Sequence, residues 1–275
     1  MSAYRVAGLQ MVSGGNVAAN LVAARRLIER AAQADAKLVL LPEYFGLIGA
    51  RATDKLEHAE RDGDGVQQRF LADAAKRHAV IVIGGCVPIA TGDPSHVASA
   101  LVAYDASGRR IARYDKMHLF AYADGDERYD EGRTIAPGAR VATLESPAGR
   151  VGLSICYDVR FPELYRALGD LALIVVPSAF TVPTGAAHWE LLLRARAVEN
   201  QCYVLAAAQG GLHENGRRTF GHSMLVDPWG RIVAQLDEGE GVVIGDVDRD
   251  VINDVRRKLP AYAHRRLAID DRLSE

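Results

Sequence analysis

Short, almost uninterrupted apolar runs recur along this chain: LVLLP (38–42), AVIVIGGCVPIA (79–90), VGLSIC (151–156), LALIVVPS (171–178) and CYVLAAA (202–208). Each has the length of a strand and too few polar residues to leave a face in water, so each is expected to be a buried strand. YRVAGLQM (4–11) and GVVIGDVD (241–248) read as further strands. Three turns, Asp105–Gly108, Ser146–Gly149 and Asp227–Gly230, begin with Asp or Ser and end with Gly, and two have Pro second. That is type I turn chemistry, and strand-like residues flank all three as in hairpins.

Helical spacing places Val17, Leu21, Ala24, Ile28 and Ala31 on one face, with Arg25, Arg26, Glu29 and Arg30 mostly on the other. A second helix is expected over about 66–79, with Val66, Phe70, Leu71 and Ala74 inward and Gln67, Arg69, Asp73 and Lys76 toward water. A third is expected over about 187–201, after a TVPTG loop. Hairpins and strand–helix–strand units together predict two mixed sheets packed face to face with helices outside. No repeat or linker divides the chain, so residues 1–275 are expected to form a single domain.

The net charge of −2 implies no basic surface for nucleic acid. No apolar run is long enough to span a bilayer, so no membrane association is expected. The first residues, MSAYRVAGLQ, lack the basic and apolar regions of a secretory signal. Cys86, Cys156 and Cys202 are odd in number and lack metal-type spacing, which points to a reducing cytoplasm and no disulfide framework. No HExxH, Walker A or GxGxxG pattern occurs, and no metal, nucleotide or organic cofactor is expected.

Three stretches carry chemistry. VGLSIC ends at Cys156, and Pro162 suits the first turn of a following helix. A thiol near a helix N-terminus is favoured as thiolate, and nearby N–H groups can hold an oxyanion; the alternative is a buried structural thiol. Cys86 and Cys202, inside apolar runs, are read as structural. In LVLLPEYF, Glu43 directly follows a buried strand and a proline. Burial would raise its pKa and make it a usable proton acceptor; the alternative is a solvated loop carboxylate. In RYDKMHLF (113–120), Lys116 follows a strand among aromatic and apolar residues. It is suited to an oxyanion, or is a snorkelling surface lysine. None of the eight histidines stands out as a partner for the thiol.

LPEYF, YDKMHLF and SICYDVRFPEL, in that order, resemble the Glu, Lys and Cys motifs of the nitrilase superfamily of carbon–nitrogen hydrolases. The resemblance runs from the first strand to PAYAHRR. PSAFTVPTGAAHWELLLRARAVENQCYVLAAAQ and GHSMLVDPWG are similar to the amidase branch, above all the deaminated glutathione amidases, with ω-amidases as near relatives. The resemblance implies a four-layer α-β-β-α sandwich and association into at least a homodimer. It implies Cys156 as nucleophile, Glu43 as general base and Lys116 as stabiliser of the tetrahedral intermediate. It also implies a second glutamate in the acidic run ADGDERYDEGRTIAPG (123–138), where Glu131 fits best and Glu127 competes.

The expected reaction is hydrolysis of a small α-keto amide through a thioester, with the Tyr157 N–H and Lys116 holding the oxyanion. The alternatives are an ω-amidase acting on 2-oxoglutaramate, a broader aliphatic amidase or nitrilase, and a catalytically silent scaffold. Arg160 is either a contact for a substrate carboxylate or a structural residue tied to Asp158 or Glu163, and Tyr157 is expected to line the pocket. Phe180 and Thr181 are expected at its border. Replacing Glu43 by Gln or Lys116 by Ala is expected to cripple turnover and leave the fold intact.

Overall fold

The structure, a computed structural model, describes residues 3–124 and 127–267. Gly125 and Asp126 of the acidic run, and the end of the basic tail, lie outside the described residues. A seven-stranded and a six-stranded sheet face each other. The first runs Gly241–Val247, Tyr4–Gln10, Leu38–Leu40, Ile81–Ala90, Val97–Tyr104, Arg110–Asp115, with Ile135–Ala136 pairing beside Val97. The second runs Ile232–Gln235, Met224–Val226, Tyr203–Ala208, Leu173–Ser178, Gly149–Leu153, Thr143–Ser146. Each has three parallel strands at its centre and antiparallel strands on either side. The three expected turns close antiparallel hairpins, with Gly108, Gly149 and Gly230 at positive φ.

The continuous apolar runs follow from this layering. Leu38 and Leu40 belong to the core between and beyond the sheets, whereas Val39 and Leu41 pack with the helices on the other side. Ile83 and Val82 divide in the same way. Helices Val17–Gln33 and Val66–His78 cover the first sheet. Pro162–Ala167 and Val182–Asn200 cover the second, through Leu164, Trp189, Leu193 and Ala197. The four layers are therefore α-β-β-α, as the sequence predicts.

Three local expectations are corrected. Val66 is 53% exposed while Gln67 and Gln68 are buried. The Glu60 carboxylate accepts the N–H groups of Gln67 and Gln68 at 2.6 and 3.2 Å, and this cap turns the first helical turn so that the glutamines face inward. The helix expected at 187 begins at Val182, with Pro183 in its first turn where a missing N–H costs nothing. Gly185 belongs to that turn because a side chain there would collide with Phe220. Cys156 does not open the helix at Pro162. It opens a separate 3-10 turn, Cys156–Arg160, and the following helix has only six residues.

Candidate active site

The parallel strands deliver the chemistry at their carboxyl ends, where chain reversals concentrate ligand sites in such sheets. Leu38–Leu40 leads to Glu43, Gly149–Leu153 to Cys156, Leu173–Ser178 to Ala179 and Tyr203–Ala208 to Gln209. Arg110–Asp115, an antiparallel edge strand, leads to Lys116. Tyr44 and Cys156 both have positive φ, at 57° and 50°. Such conformations are costly for non-glycine residues and persist where the surroundings dictate them.

Those surroundings are specific. A Cβ on Gly85 would collide with the Pro42 carbonyl, so only glycine allows the Glu43 segment to lie against its neighbouring strand. The Gln209 amide donates to the Glu43 carbonyl at 3.0 Å, and the Tyr44 N–H donates to the Cys86 sulfur at 3.2 Å. Gly138 lies against Asp115 where no side chain would fit, and its N–H donates to the Lys116 carbonyl at 2.8 Å.

The structure brings Glu43, Lys116, Glu131 and Cys156 together. The Lys116 ammonium, with 0% exposure, donates to Glu43 Oε1 at 2.7 Å and to Glu131 Oε2 and Oε1 at 2.8 and 3.0 Å. Glu131 also accepts from the Tyr44 hydroxyl at 2.7 Å and from the Phe120 N–H at 2.7 Å. The Cys156 thiol lies close enough to the Glu43 carboxylate and to the Ala179 N–H for each to shift its ionisation. Glu127 lies in strand Glu127–Asp130, and its side chain is outside the described residues.

Electrostatics follow from burial. Desolvation pushes the Glu43 carboxyl up, Lys116 pulls it down and Glu131 pushes it up again, and the net shift is upward. Burial also acts on Glu131, but the Lys116 ammonium and the hydrogen bonds from Lys116, Phe120 and Tyr44 prevail and hold it down. Burial would lower Lys116, yet the two carboxylates keep it well above its ordinary value. The Cys156 thiol is raised well above its ordinary value by burial and then by Glu43, against smaller opposing effects from Lys116 and the Ala179 N–H. Burial and Glu43 thus act against the thiolate that nearness to a helix favours.

Asp158, weighed in the sequence only as a partner for Arg160, clamps the cysteine turn to the lysine loop. Its carboxylate, 0% exposed, accepts from the Tyr114 hydroxyl at 2.7 Å, the Ile155 N–H at 2.8 Å and the His118 N–H at 3.1 Å. It also meets His118 Nδ1 at 2.7 Å, and the His118 ring stacks on Phe161 with centroids 3.7 Å apart. The only signal for this role in the sequence is position, two residues beyond the cysteine, opposite residues flanking the lysine.

Tyr157, Arg160, Phe180 and Thr181 line a cavity of about 10 Å³ above Cys156, together with Phe120. Arg160 pairs with neither Asp158 nor Glu163 among the described residues. Its guanidinium meets His188 Nδ1 at 3.3 Å and lies 5.3 and 5.7 Å from the Phe180 and Tyr157 ring centroids. Phe120, packed edge-on to Tyr157, also lines a cleft of about 380 Å³ together with Tyr44 and Glu131. Neither Phe120 nor Tyr44 was singled out in the sequence, although both lie inside the quoted motifs. The arrangement can move a proton from sulfur to carboxylate and hold negative charge beside a buried ammonium.

Comparison with known proteins gives a consistent outcome. Residues 5–257 match the family model described as carbon–nitrogen hydrolase. The chain is 40% identical over 272 residues to the deaminated glutathione amidase of Synechocystis sp. (strain PCC 6803 / GT-S), covering 96% of this chain and 99% of that one. The crystal structure of the Caenorhabditis elegans NitFhit protein superposes with TM-score 0.89 at 39% identity, over 97% of this chain and 66% of that one. Saccharomyces cerevisiae Nit3, a member of branch 10 of the nitrilase superfamily, superposes with TM-score 0.86 at 32% identity, over 96% and 97%.

Proposed function

Since this chain belongs to the carbon–nitrogen hydrolase family, we propose that it is a cysteine-dependent amidase acting on a small α-keto amide of the deaminated glutathione type. The observation that carries the reading is the buried Lys116 ammonium held between Glu43 and Glu131, with the Cys156 thiol near enough to Glu43 for each to act on the other's ionisation.

Glu43 accepts the thiol proton as the sulfur attacks the amide carbonyl. Lys116 and the Tyr157 N–H take up the charge that develops on oxygen. Glu43 then gives its proton to the departing amine or ammonia, leaving an acyl thioester on Cys156. Water, deprotonated by Glu43, attacks the thioester; the acid leaves and the proton returns to sulfur. Glu131 keeps Lys116 charged and aimed. Because burial holds the sulfur protonated, proton removal accompanies attack, and Glu43 is the group whose ionisation limits activity in acid.

Deaminated glutathione, 2-oxoglutaramate, simple aliphatic amides and nitriles, each assayed for release of amine or ammonia, form the test. Fastest turnover of deaminated glutathione is expected. Turnover of nitriles alone would overturn the amidase reading, and no turnover of any compound would favour a silent scaffold.

We further propose a homodimer or larger assembly. Leu191 and Val198, seven residues apart on one face of helix Val182–Asn200, are 67% and 48% exposed, and Trp229, next in the chain to the Gly230 that meets Val198, is half exposed. Exposed apolar side chains grouped on one face are a feature of association surfaces. Light scattering of the same preparation checks this, and a monomer would contradict it. A cytoplasmic setting fits three buried, free thiols, and cell fractionation would decide it.

A further inference from the structure

We infer that Lys55 and Arg217 form a carboxylate subsite in the cleft beside the catalytic cluster. The inference rests on the amidase reading and deepens it, by naming anionic amides as the substrate class and the residues that select them.

The cleft is lined by Tyr44 and Glu131 of the catalytic cluster and by the cations Arg51, Lys55, Arg128 and Arg217. These cations differ in what they already bind. Arg51 is occupied by Asp54 and Glu57 at 2.7 and 2.9 Å. Arg128 is exposed. Lys55 is half-buried, its ammonium 5.6 Å from the Tyr44 ring centroid, and no carboxylate pairs with it among the described residues. Arg217 is also half-buried and likewise has no carboxylate partner among the described residues. It donates once, to the Ala179 carbonyl at 3.0 Å, and lies 5.2 Å from the Tyr129 ring centroid. Its Nε is buried with no acceptor. A buried donor on a cation without an acceptor is costly, and a planar guanidinium fork is matched by a carboxylate.

The placement links this pair to the reacting atoms from two sides. Arg217 donates to the carbonyl of Ala179, which lines the same cavity as Cys156. Lys55 lies over Tyr44, whose hydroxyl holds Glu131 against Lys116. The cleft shares Phe120 with the cavity that Cys156 lines and Tyr44 and Glu131 with the catalytic cluster, so a carboxylate extending from an amide bound at the sulfur would enter it past Phe120. A deaminated peptide of the proposed kind bears one carboxylate on its acyl part and another on its amine part, and either can be the one bound.

The test is equilibrium binding by calorimetry to the Cys156→Ala protein, which needs no turnover. Three ligands are compared: deaminated glutathione, its analogue with the terminal carboxylate capped as an amide, and 2-oxoglutaramate. Each is titrated with and without Lys55→Gln or Arg217→Gln. Either substitution is expected to weaken binding of deaminated glutathione roughly 10- to 100-fold. Lys55→Arg is expected to retain most of it. If the loss spares the capped analogue and 2-oxoglutaramate, the subsite holds the carboxylate of the amine part; if it extends to them, that of the acyl part. Equal affinities with and without the cations for all three ligands would overturn the inference. Charge-dependent binding by a wild-type protein that hydrolyses none of these amides would instead overturn the amidase reading and leave the subsite standing.

Discussion

Glu43→Gln is expected to lower kcat for amide hydrolysis by roughly 10²–10⁴-fold, the usual contribution of a positioned proton-transfer group. The substitution is nearly isosteric and leaves an oxygen for the Lys116 ammonium 2.7 Å away, so the loss should appear in rate and not in folding. What disappears is the carboxylate that acts on the thiol and can take its proton. The pH profile separates this from a packing defect. In the wild type the carboxylate must be ionised to act, and burial raises its pKa. The acid limb of kcat/KM should therefore lie above the ordinary glutamate value of about 4.3, with activity rising as pH rises through it. That limb should vanish in Glu43→Gln. A variant with near-normal rates and an unchanged limb would mean that another group accepts the proton.

Lys116→Met is expected to cost both stability and rate. The ammonium is completely buried between two carboxylates, and removing one member of a buried charge cluster costs about 3–5 kcal/mol because the others are left uncompensated. Losing a preorganised donor to the tetrahedral oxygen should cost a further roughly 10²–10³-fold in kcat. Urea unfolding and amide turnover measure the two effects. The sequence suggests a variant that folds normally; the burial of Lys116 contradicts that, and the change to Ala should destabilise for the same reason. Adding Glu131→Gln to Lys116→Met removes one stranded carboxylate and should restore part of the stability without restoring activity. Stability unchanged by Lys116→Met would show that the cluster is more solvated than its geometry implies.

Legibility in the sequence tracks how local each determinant is. The hairpins are readable because Asp or Ser and Gly dictate their turns within four residues. The buried strands are readable because neighbouring residues such as Leu38 and Val39 serve different cores, which leaves no room for polar alternation. Local rules fail where a distant partner intervenes. Glu60, outside the helix it caps, decides that Gln67 and not Val66 turns inward. The proline and glycine of TVPTG look like a loop until Phe220, 35 residues from Gly185, is seen packing where a side chain would stand.

The candidate site divides in the same way. Glu43, Lys116 and Cys156 stand just past strand ends within distinctive motifs. The ionisation of the sulfur is not legible locally, because helix proximity is a local argument, whereas burial and Glu43 act through space. Asp158 and Arg217 could not be read at all as site residues. Their roles arise from contacts with Tyr114, His118 and Ala179, 38–44 residues away in the chain.

The most direct measurement is mass spectrometry of protein quenched during turnover of a slow amide, followed by proteolytic mapping. The account predicts an increase equal to the acyl group, confined to the peptide carrying Cys156 and absent from Cys156→Ala. An unmodified Cys156 peptide, together with a Cys156→Ala protein that still turns over the amide, would contradict it.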